Sequence, residues 1–567
     1  MSIPRVARFF ISGLFLADTQ FRSPVPTSRS SGRAQLATLE NARRTIGQAS
    51  AARTPALYLF DRPVEVDRAG ELKSLVSCVA YEFFPSLLYW NMRVSKIALV
   101  VLFCLLASPA WATTYYLATA PSGGNDSNDG LSIGTPWLTP YHALNCGDVI
   151  LAAAGTYSPA NFTYNKWGKV TCPAGNNVAW LKCVIFDACK VSGGGSFPSG
   201  MSVSASYWGV QGWEATATAQ SACFNAFPPA PTVQLHHIIF ANDVANGCYS
   251  SGFTVGNNQD VGVDYFVVVG SIAYNAAQST LQCVSGIDIY QPVQSDSLPG
   301  THIYVAGNFA WANVDPNPCA GGLPTDGNGI ILDTLDGTYG LPSPYTAQVL
   351  VDNNILIANG GRGFEVFNNT AGAVHAAIYA RHNTLWGNNF DLNTTNRFCG
   401  EMAFKIAFNV SASLNLSATS ATDGCAGDPL YAYSVVNGNS TDLIYNNVGW
   451  SASGTYGNAT LSPGFSYGPN NLFGTNPNFV NAAAPGAPSC SGTASVPNCM
   501  ATLIANFTPT TSTAKSYGYQ VPSTTPSYDP LFPQWLCNVN LPAGLVTMGC
   551  PAGSAPAPPA DLSLVVH

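Results

Sequence analysis

Five short segments of this chain repeat one pattern: Gly252-Phe-Thr-Val255, Gly286-Ile-Asp-Ile289, Gly329-Ile-Ile-Leu332, Gly363-Phe-Glu-Val366 and Asn389-Phe-Asp-Leu392. Each is a turn residue followed by large apolar, variable and large apolar positions. Between them runs a second motif, an apolar strand ending in a small polar residue. It reads Val267-Val-Val-Gly-Ser271, Tyr304-Val-Ala-Gly-Asn308, Leu350-Val-Asp-Asn-Asn354, Tyr379-Ala-Arg-His-Asn383 and Lys405-Ile-Ala-Phe-Asn409. The two motifs alternate in strict order. Two short strands per ~25–45 residues, with apolar residues at period two, mark a β-solenoid. No coil buries its apolar side alone, and stacked coils share one core.

Equivalent positions of successive coils lie ~4.8 Å apart, so the sequence folds on paper into columns. Phe253, Ile287, Ile330, Phe364 and Phe390 point inward, as do Val255, Ile289, Leu332, Val366 and Leu392. The outward column between them is Thr254, Asp288, Ile331, Glu365 and Asp391, with Glu365 and Asp391 on adjacent coils. Two like charges that close share a proton, bind a cation or pair with Arg. Arg362 is the nearest base in sequence. Asp333 aligns with Phe367, and Asp352 stacks on Arg381 with Lys405 diagonally beside it. With Arg397, the scarce bases of the repeats fall on these same coils. The pattern predicts a groove over Asp288, Asp333, Arg362, Glu365, Arg381, Asp391 and Lys405, weighed against a solvated ion-pair face.

Other polar positions read as structural. Asn308, Asn354, Asn383 and Asn409 form a column, and Asn suits a tight left-handed turn and bonds between coils. His236 and His237 open a strand with no carboxylate near in sequence and read as satisfied or exposed. Asp126 and Asp129 read as an Asp/Asn-rich turn before they read as cation ligands.

Residues 92–112 carry a short basic start, an apolar run from Ile97 to Ala107 and a small-x-small site at Ala110-Trp-Ala112. This is a Sec-type signal peptide, too short to span a membrane. It predicts secretion, or a periplasmic or cell-surface location. The 91 residues before it read as a mis-called upstream start, with an N-terminal extension and internal anchor as the rival. Of 16 Cys, 14 follow Ala112, an even number that suits disulfides outside the cytosol. No C-x-x-C or zinc-like Cys/His spacing occurs. Residues 1–112 hold 13 of the 22 Lys and Arg, leaving 9 against 23 acids, a formal net of −14. So few bases argue against nucleic-acid or anionic-membrane binding. An acidic glycan must be held by local bases or a bound cation.

The mature chain opens on Tyr115-Tyr-Leu117 and the turn-rich loop Ser122-Gly-Gly-Asn-Asp-Ser-Asn-Asp-Gly130. Then come a possible helical turn at Pro140–Leu144 and Gly147-Asp-Val-Ile…Ala-Gly-Thr-Tyr157. This run resembles the N-terminal cap of secreted right-handed parallel β-helix proteins of the pectate-lyase-like superfamily. Asn353-Asn-Ile-Leu-Ile-Ala-Asn-Gly-Gly-Arg-Gly-Phe364 resembles their coils, and Asn470-Asn-Leu-Phe-Gly-Thr-Asn-Pro-Asn-Phe479 resembles the run that ends many of them. The resemblance implies an all-β, right-handed parallel β-helix over 113–480, of roughly ten coils. A Cys/Pro-rich, loop-rich tail follows over 481–567.

For activity the resemblance implies three alternatives. The first is a polysaccharide lyase working by Ca²⁺-assisted β-elimination. Asp288, Glu365 and Asp391 would then hold the metal. Lys405 or Arg381 would be the base and Arg362 a further catalytic residue, and Asp333, Asp352 and Arg397 would bind substrate. No lyase signature surrounds these residues. The second is a secreted or surface protein that binds a glycan without cleaving it. The third is a glycoside hydrolase using paired carboxylates, although the polygalacturonase-like Gly-His-Gly and Arg-Ile-Lys are absent.

Overall fold

The computed structural model describes residues 112–549 except 174–176, 194–199, 217–220, 318–325, 339–342, 371–374, 390–398, 407–408, 420–430, 439, 455, 462–464, 523–526, 540 and 542–547. The expected upstream extension and all but the last residue of the expected signal peptide lie outside the described residues. Among the described residues no helix is long and apolar enough to cross a membrane.

Three parallel sheets stack along the chain. One has 11 strands from Thr114–Leu117 to Leu443–Tyr445, and the second has 11 from Gly155–Tyr157 to Leu472–Phe473. The third has 9 strands, from Met201–Val203 to Gly457–Leu461. The chain visits the sheets in turn. Val263–Val269, Ile272–Tyr274 and Ile287–Tyr290 make one coil, and Thr301–Ala306 begins the next by pairing with Val263–Val269. Crossovers between parallel neighbours are right-handed, because right-twisted strands pack back only that way. The fold is the right-handed parallel β-helix that the resemblance implies.

Phe253, Ile287, Ile330 and Phe364 stack in register on the third sheet, fully buried. The next member of that column is Met402, not the expected Phe390. A turn-like start followed by apolar, variable, apolar occurs twice in this coil, and local spacing does not say which copy pairs. The backbone decides it. The Phe364 N–H donates to the Glu401 carbonyl at 3.1 Å, which seats Glu401 over Gly363. Asn389 instead ends the preceding turn at φ 72°. The same shift moves Lys405 from the first sheet to the third, and the first-sheet strand of that coil is Val410–Ser413.

The Asn column is real but longer than expected and without Asn409. It runs Asn308, Asn354, Asn383, Asn415, Asn447, Asn471. The backbone N–H and Nδ2 of each donate to Oδ1 of the next. Each Nδ2 also donates to a carbonyl of the preceding coil, as Asn354 does to Val305 O at 3.0 Å. A second ladder, Asn313, Asn359, Asn388, ends on the buried carboxylate of Glu401. Amides that donate one way and accept the other pair with one another from coil to coil along each ladder.

At the N-terminal end, Pro140–Leu144 is not helical. His142 turns instead to stack on Trp137, ring centroids 3.8 Å apart, and Trp137 stacks on Tyr115. Asp126 accepts from Leu138 N–H, Thr139 N–H and Thr139 Oγ1, and Asp129 from Leu131 N–H and Thr135 Oγ1. Both carboxylates serve their own loop, as a turn predicts. His237 is buried in a ring stack with Tyr265, which stacks in turn on His302. Disulfides join Cys146–Cys172, Cys183–Cys189, Cys223–Cys248 and Cys490–Cys499.

The tail covers outward apolar faces of the barrel. Val496, Met500, Leu503 and Phe507 pack on Val244, Ile272, Phe309 and Ile355 of the second sheet. Phe532, Leu536 and Val539 pack on Ile239, Val267, Tyr304 and Leu350 of the first. Arg381 fastens this strap: its Nη2 donates to Asp352 Oδ2 at 2.9 Å and also to Asp529 Oδ2 in the tail. Arg381→Ala would leave two carboxylates facing each other across the contact. We expect chymotrypsin to cut after Trp535 several-fold faster in that variant, with the circular dichroism of the barrel unchanged. Equal cutting rates would show that apolar packing alone holds the strap.

Candidate active site

Alternation on the third sheet places two outward columns side by side. One is Thr254, Asp288, Ile331, Glu365, Ala403, Ser434, and the other is Tyr290, Asp333, Phe367, Lys405, Val436. Glu365 and Phe367 share one strand and one face. Asp333 and Lys405 flank Phe367 on the strands either side. Asp333, Phe367 and Lys405 are half-buried and Tyr290 is 37% exposed, so this column forms the open part of the site. Glu365, at 2% exposed, lies beneath it.

The expected residues divide into groups. Asp333, Arg362, Glu365 and Lys405 come together. Arg362 approaches Glu365 at 3.2 Å, and its backbone N–H donates to Asn328 Oδ1 at 2.7 Å. Asp288 stands in the same column as Glu365, but with Ile331 between them. Arg381 and Asp352 are elsewhere, on the outer face of the first sheet beneath the strap. Their stacking on each other was legible, but not the tail that covers them. Asp391 and Arg397 lie outside the described residues. The residue stacked on Glu365 is Ala403, so the expected Glu365–Asp391 pair does not occupy successive positions of that column. Tyr290 and Asp326 had no place in the expected groove, and Phe367, although aligned there with Asp333, had no part in it. Tyr290 and Phe367 follow from extending the outward alternation by one step. Asp326 sits in a connection with no period to read.

Electrostatics at the site are inverted from the ordinary. Burial pushes the Glu365 carboxyl up to about 7, against the pull of Arg362, and Asp326 and Asp333 push it the same way as burial. Burial likewise pushes Asp333 up to about 7, against a hydrogen bond from Thr334. Asp288 is pushed well above the usual range, chiefly by burial and then by Asp333 and Asp326. Lys405 is lowered by burial, which outweighs the attraction of Glu365. The site therefore favours neutral carboxyls and loosens the hold of Lys405 on its proton.

This has a consequence for stability. Both carboxyls bind their protons more tightly folded than unfolded. Their stabilising contribution is complete below the unfolded values, about pH 4, and is lost as pH rises through about 7. We expect the melting temperature to fall between about pH 4 and pH 7 and then level off, and to fall less steeply in Asp333→Asn. A parallel fall in that variant would remove Asp333 as a cause.

The described residues include Asp288 and Glu365, two of the three residues expected to hold calcium, and not Asp391. Among them no three of His, Cys, Asp and Glu are grouped to hold a metal ion. Asp288 and Glu365 are two strand spacings apart, ~9.6 Å along the column. Glu365 is engaged by Arg362.

No protein-family model matches the sequence, and no curated protein does. Solved structures that are similar include pectate lyase Pel9A, at 17% identity and a TM-score of 0.38, covering 65% of this chain and 83% of that one. A GH136 lacto-N-biosidase from Eubacterium ramulus has 13% identity and a TM-score of 0.36, covering 68% and 71%. A rhamnogalacturonan lyase has 15% identity and a TM-score of 0.33, covering 65% and 87%. These are likenesses of fold alone, and the parallel β-helix is read from this chain's own strand pairing.

Proposed function

We propose that the outer face of the third sheet is the active site of an exported glycan-cleaving enzyme, and that it cleaves an acidic polysaccharide by β-elimination. One observation carries this reading: Lys405, lowered by burial, shares a half-open face with the raised carboxyls of Asp333 and Glu365. Export is proposed from the signal-peptide pattern, and the disulfides suit an oxidising compartment.

In this scheme Lys405, once it has given up its own proton, takes the proton alpha to the uronate carboxylate. The electron pair forms the new double bond as the C4–O bond breaks. The ammonium then returns a proton to the leaving oxygen, which becomes the new reducing end. Charge that develops on the uronate carboxylate needs donors in place of a cation. The protonated Asp333 carboxyl supplies one, as a carboxylic acid held neutral does in an apolar site. Arg362 and Glu365, both buried, act from beneath by setting the local field.

A hydrolase is the second reading, favoured by the two raised carboxyls on one face. The test is to incubate the purified mature chain with pectate, alginate, rhamnogalacturonan and neutral glycans. Ultraviolet absorbance reads unsaturated ends, and a reducing-end assay reads total cleavage. Absorbance with reducing ends supports elimination, and reducing ends alone mean hydrolysis. Binding without either leaves a glycan-binding protein.

A further inference from the structure

Lys405 and Phe367 form a pair that the reaction scheme leaves unexplained. Phe367 lies between Asp333 and Lys405 in one outward column. The Lys405 Nζ sits over its ring, 3.9 Å from the centroid. This placement is not a default. A lysine on an outer face ordinarily extends its head into water, and carboxylates stand on the same face to attract it. Neither Asp333 nor Glu365 makes an ion pair with Lys405 within 4.0 Å among the described contacts, and Glu365 pairs with Arg362 instead. The aromatic ring therefore holds the amine, through its electron-rich face.

We propose that Phe367 is the positioning residue for Lys405: it holds the side-chain nitrogen above the sheet, aimed along the open column and away from a carboxylate. This inference rests on Lys405 being the base. The chemical reason is direct. A base locked in an ion pair must break that pair before it takes a substrate proton. A base resting on a ring gives up a weaker contact, yet stays in a small volume, and a fixed near-attack position is worth much of a rate. The ring also occupies space that water would fill around the amine. Phe367 acts through Lys405 and needs no contact with the reacting atoms.

The test uses the full mature chain with Phe367→Leu and Phe367→Trp. Phe367 is half-buried and outward, so leucine leaves the core column of Phe364 and Val366 untouched. The first readout is spectroscopic and independent of any activity. In wild type the ring current should move the ε-methylene protons of Lys405 upfield. The shift should vanish in Phe367→Leu and persist in Phe367→Trp. The second readout is kinetic. A cation–π contact is worth about 0.5–2 kcal/mol, so kcat should fall about two-fold to thirty-fold in Phe367→Leu. KM should stay within two-fold of wild type, and Phe367→Trp should restore kcat. A Lys405 shift unchanged by Phe367→Leu overturns the proposal, as does a loss confined to KM. A wild-type chain that cleaves no glycan sinks the lyase reading, while the ring-current result still decides where Lys405 rests.

Discussion

Lys405→Met should abolish glycan cleavage while leaving the protein folded and able to bind. Methionine keeps an unbranched apolar stem over the Phe367 ring and removes only the titrating nitrogen. The lost term is general-base catalysis, typically 10²–10⁴-fold. Folding should be little affected, because Lys405 lies on the outer face and makes no ion pair within 4.0 Å among the described contacts. Thermal unfolding should therefore move by no more than a few degrees. At neutral pH the variant should lose turnover with affinity for the polysaccharide retained, measured by calorimetry. Retained turnover would remove Lys405 as the base. Attention would then pass to the raised carboxyls of Asp333 and Glu365, and to the hydrolytic reading.

Asn354→Ala should be among the most damaging substitutions in the barrel although Asn354 touches no site residue. Its Oδ1 accepts from both the backbone N–H and the Nδ2 of Asn308, at 2.9 and 3.1 Å. Its Nδ2 donates to Val305 O and to Asn383 Oδ1, at 3.0 and 2.8 Å. The residue is fully buried. Alanine would strand the Asn308 backbone N–H and take a donor from the Val305 carbonyl on one neighbouring coil, and would take one of two Asn354 donors from Asn383 Oδ1 on the other. Each buried group left unpaired costs about 1–3 kcal/mol, so a loss of several kcal/mol is expected. In a solenoid such a loss weakens the interface between neighbouring coils first. Hydrogen exchange should show the coils around residues 303–311 and 349–357 losing protection ahead of the N-terminal cap. Asn409→Gly is the control, because at φ 63° an alanine would add backbone strain of its own. Asn409 stands outside the ladder, and its backbone N–H meets Thr441 Oγ1 whatever its side chain. A similar loss in both variants would mean that the ladder contributes nothing particular.

Much of this was legible in the chain itself. Period-two alternation requires Phe253, Ile287, Ile330 and Phe364 to face one way and Asp288 and Glu365 the other. No other assignment buries the large apolar residues, since a slip of one residue turns every side chain over. The structural role of Asn308, Asn354 and Asn383 was also legible, because Asn recurs where each coil turns. Asp333, Arg362 and Glu365 could be gathered onto one face by alignment alone.

What the sequence could not decide is which of two similar segments closes a coil. Asn389-Phe-Asp-Leu392 and Glu401-Met-Ala-Phe404 carry comparable patterns, and only hydrogen bonds to Gly363–Val366 choose the second. That choice put Ala403 on Glu365 and carried Lys405 from the first sheet to the third. Loop length between strands has no period, so a local pattern cannot count through it. Arg381 and Asp352 illustrate the same limit. Their mutual stacking follows from alignment, but their burial depends on Asp529, 148 residues further along the chain. Whether an outward ion pair lines a groove or fastens a strap is set by what folds back over it. That is a long-range contact, and only the tertiary structure contains it.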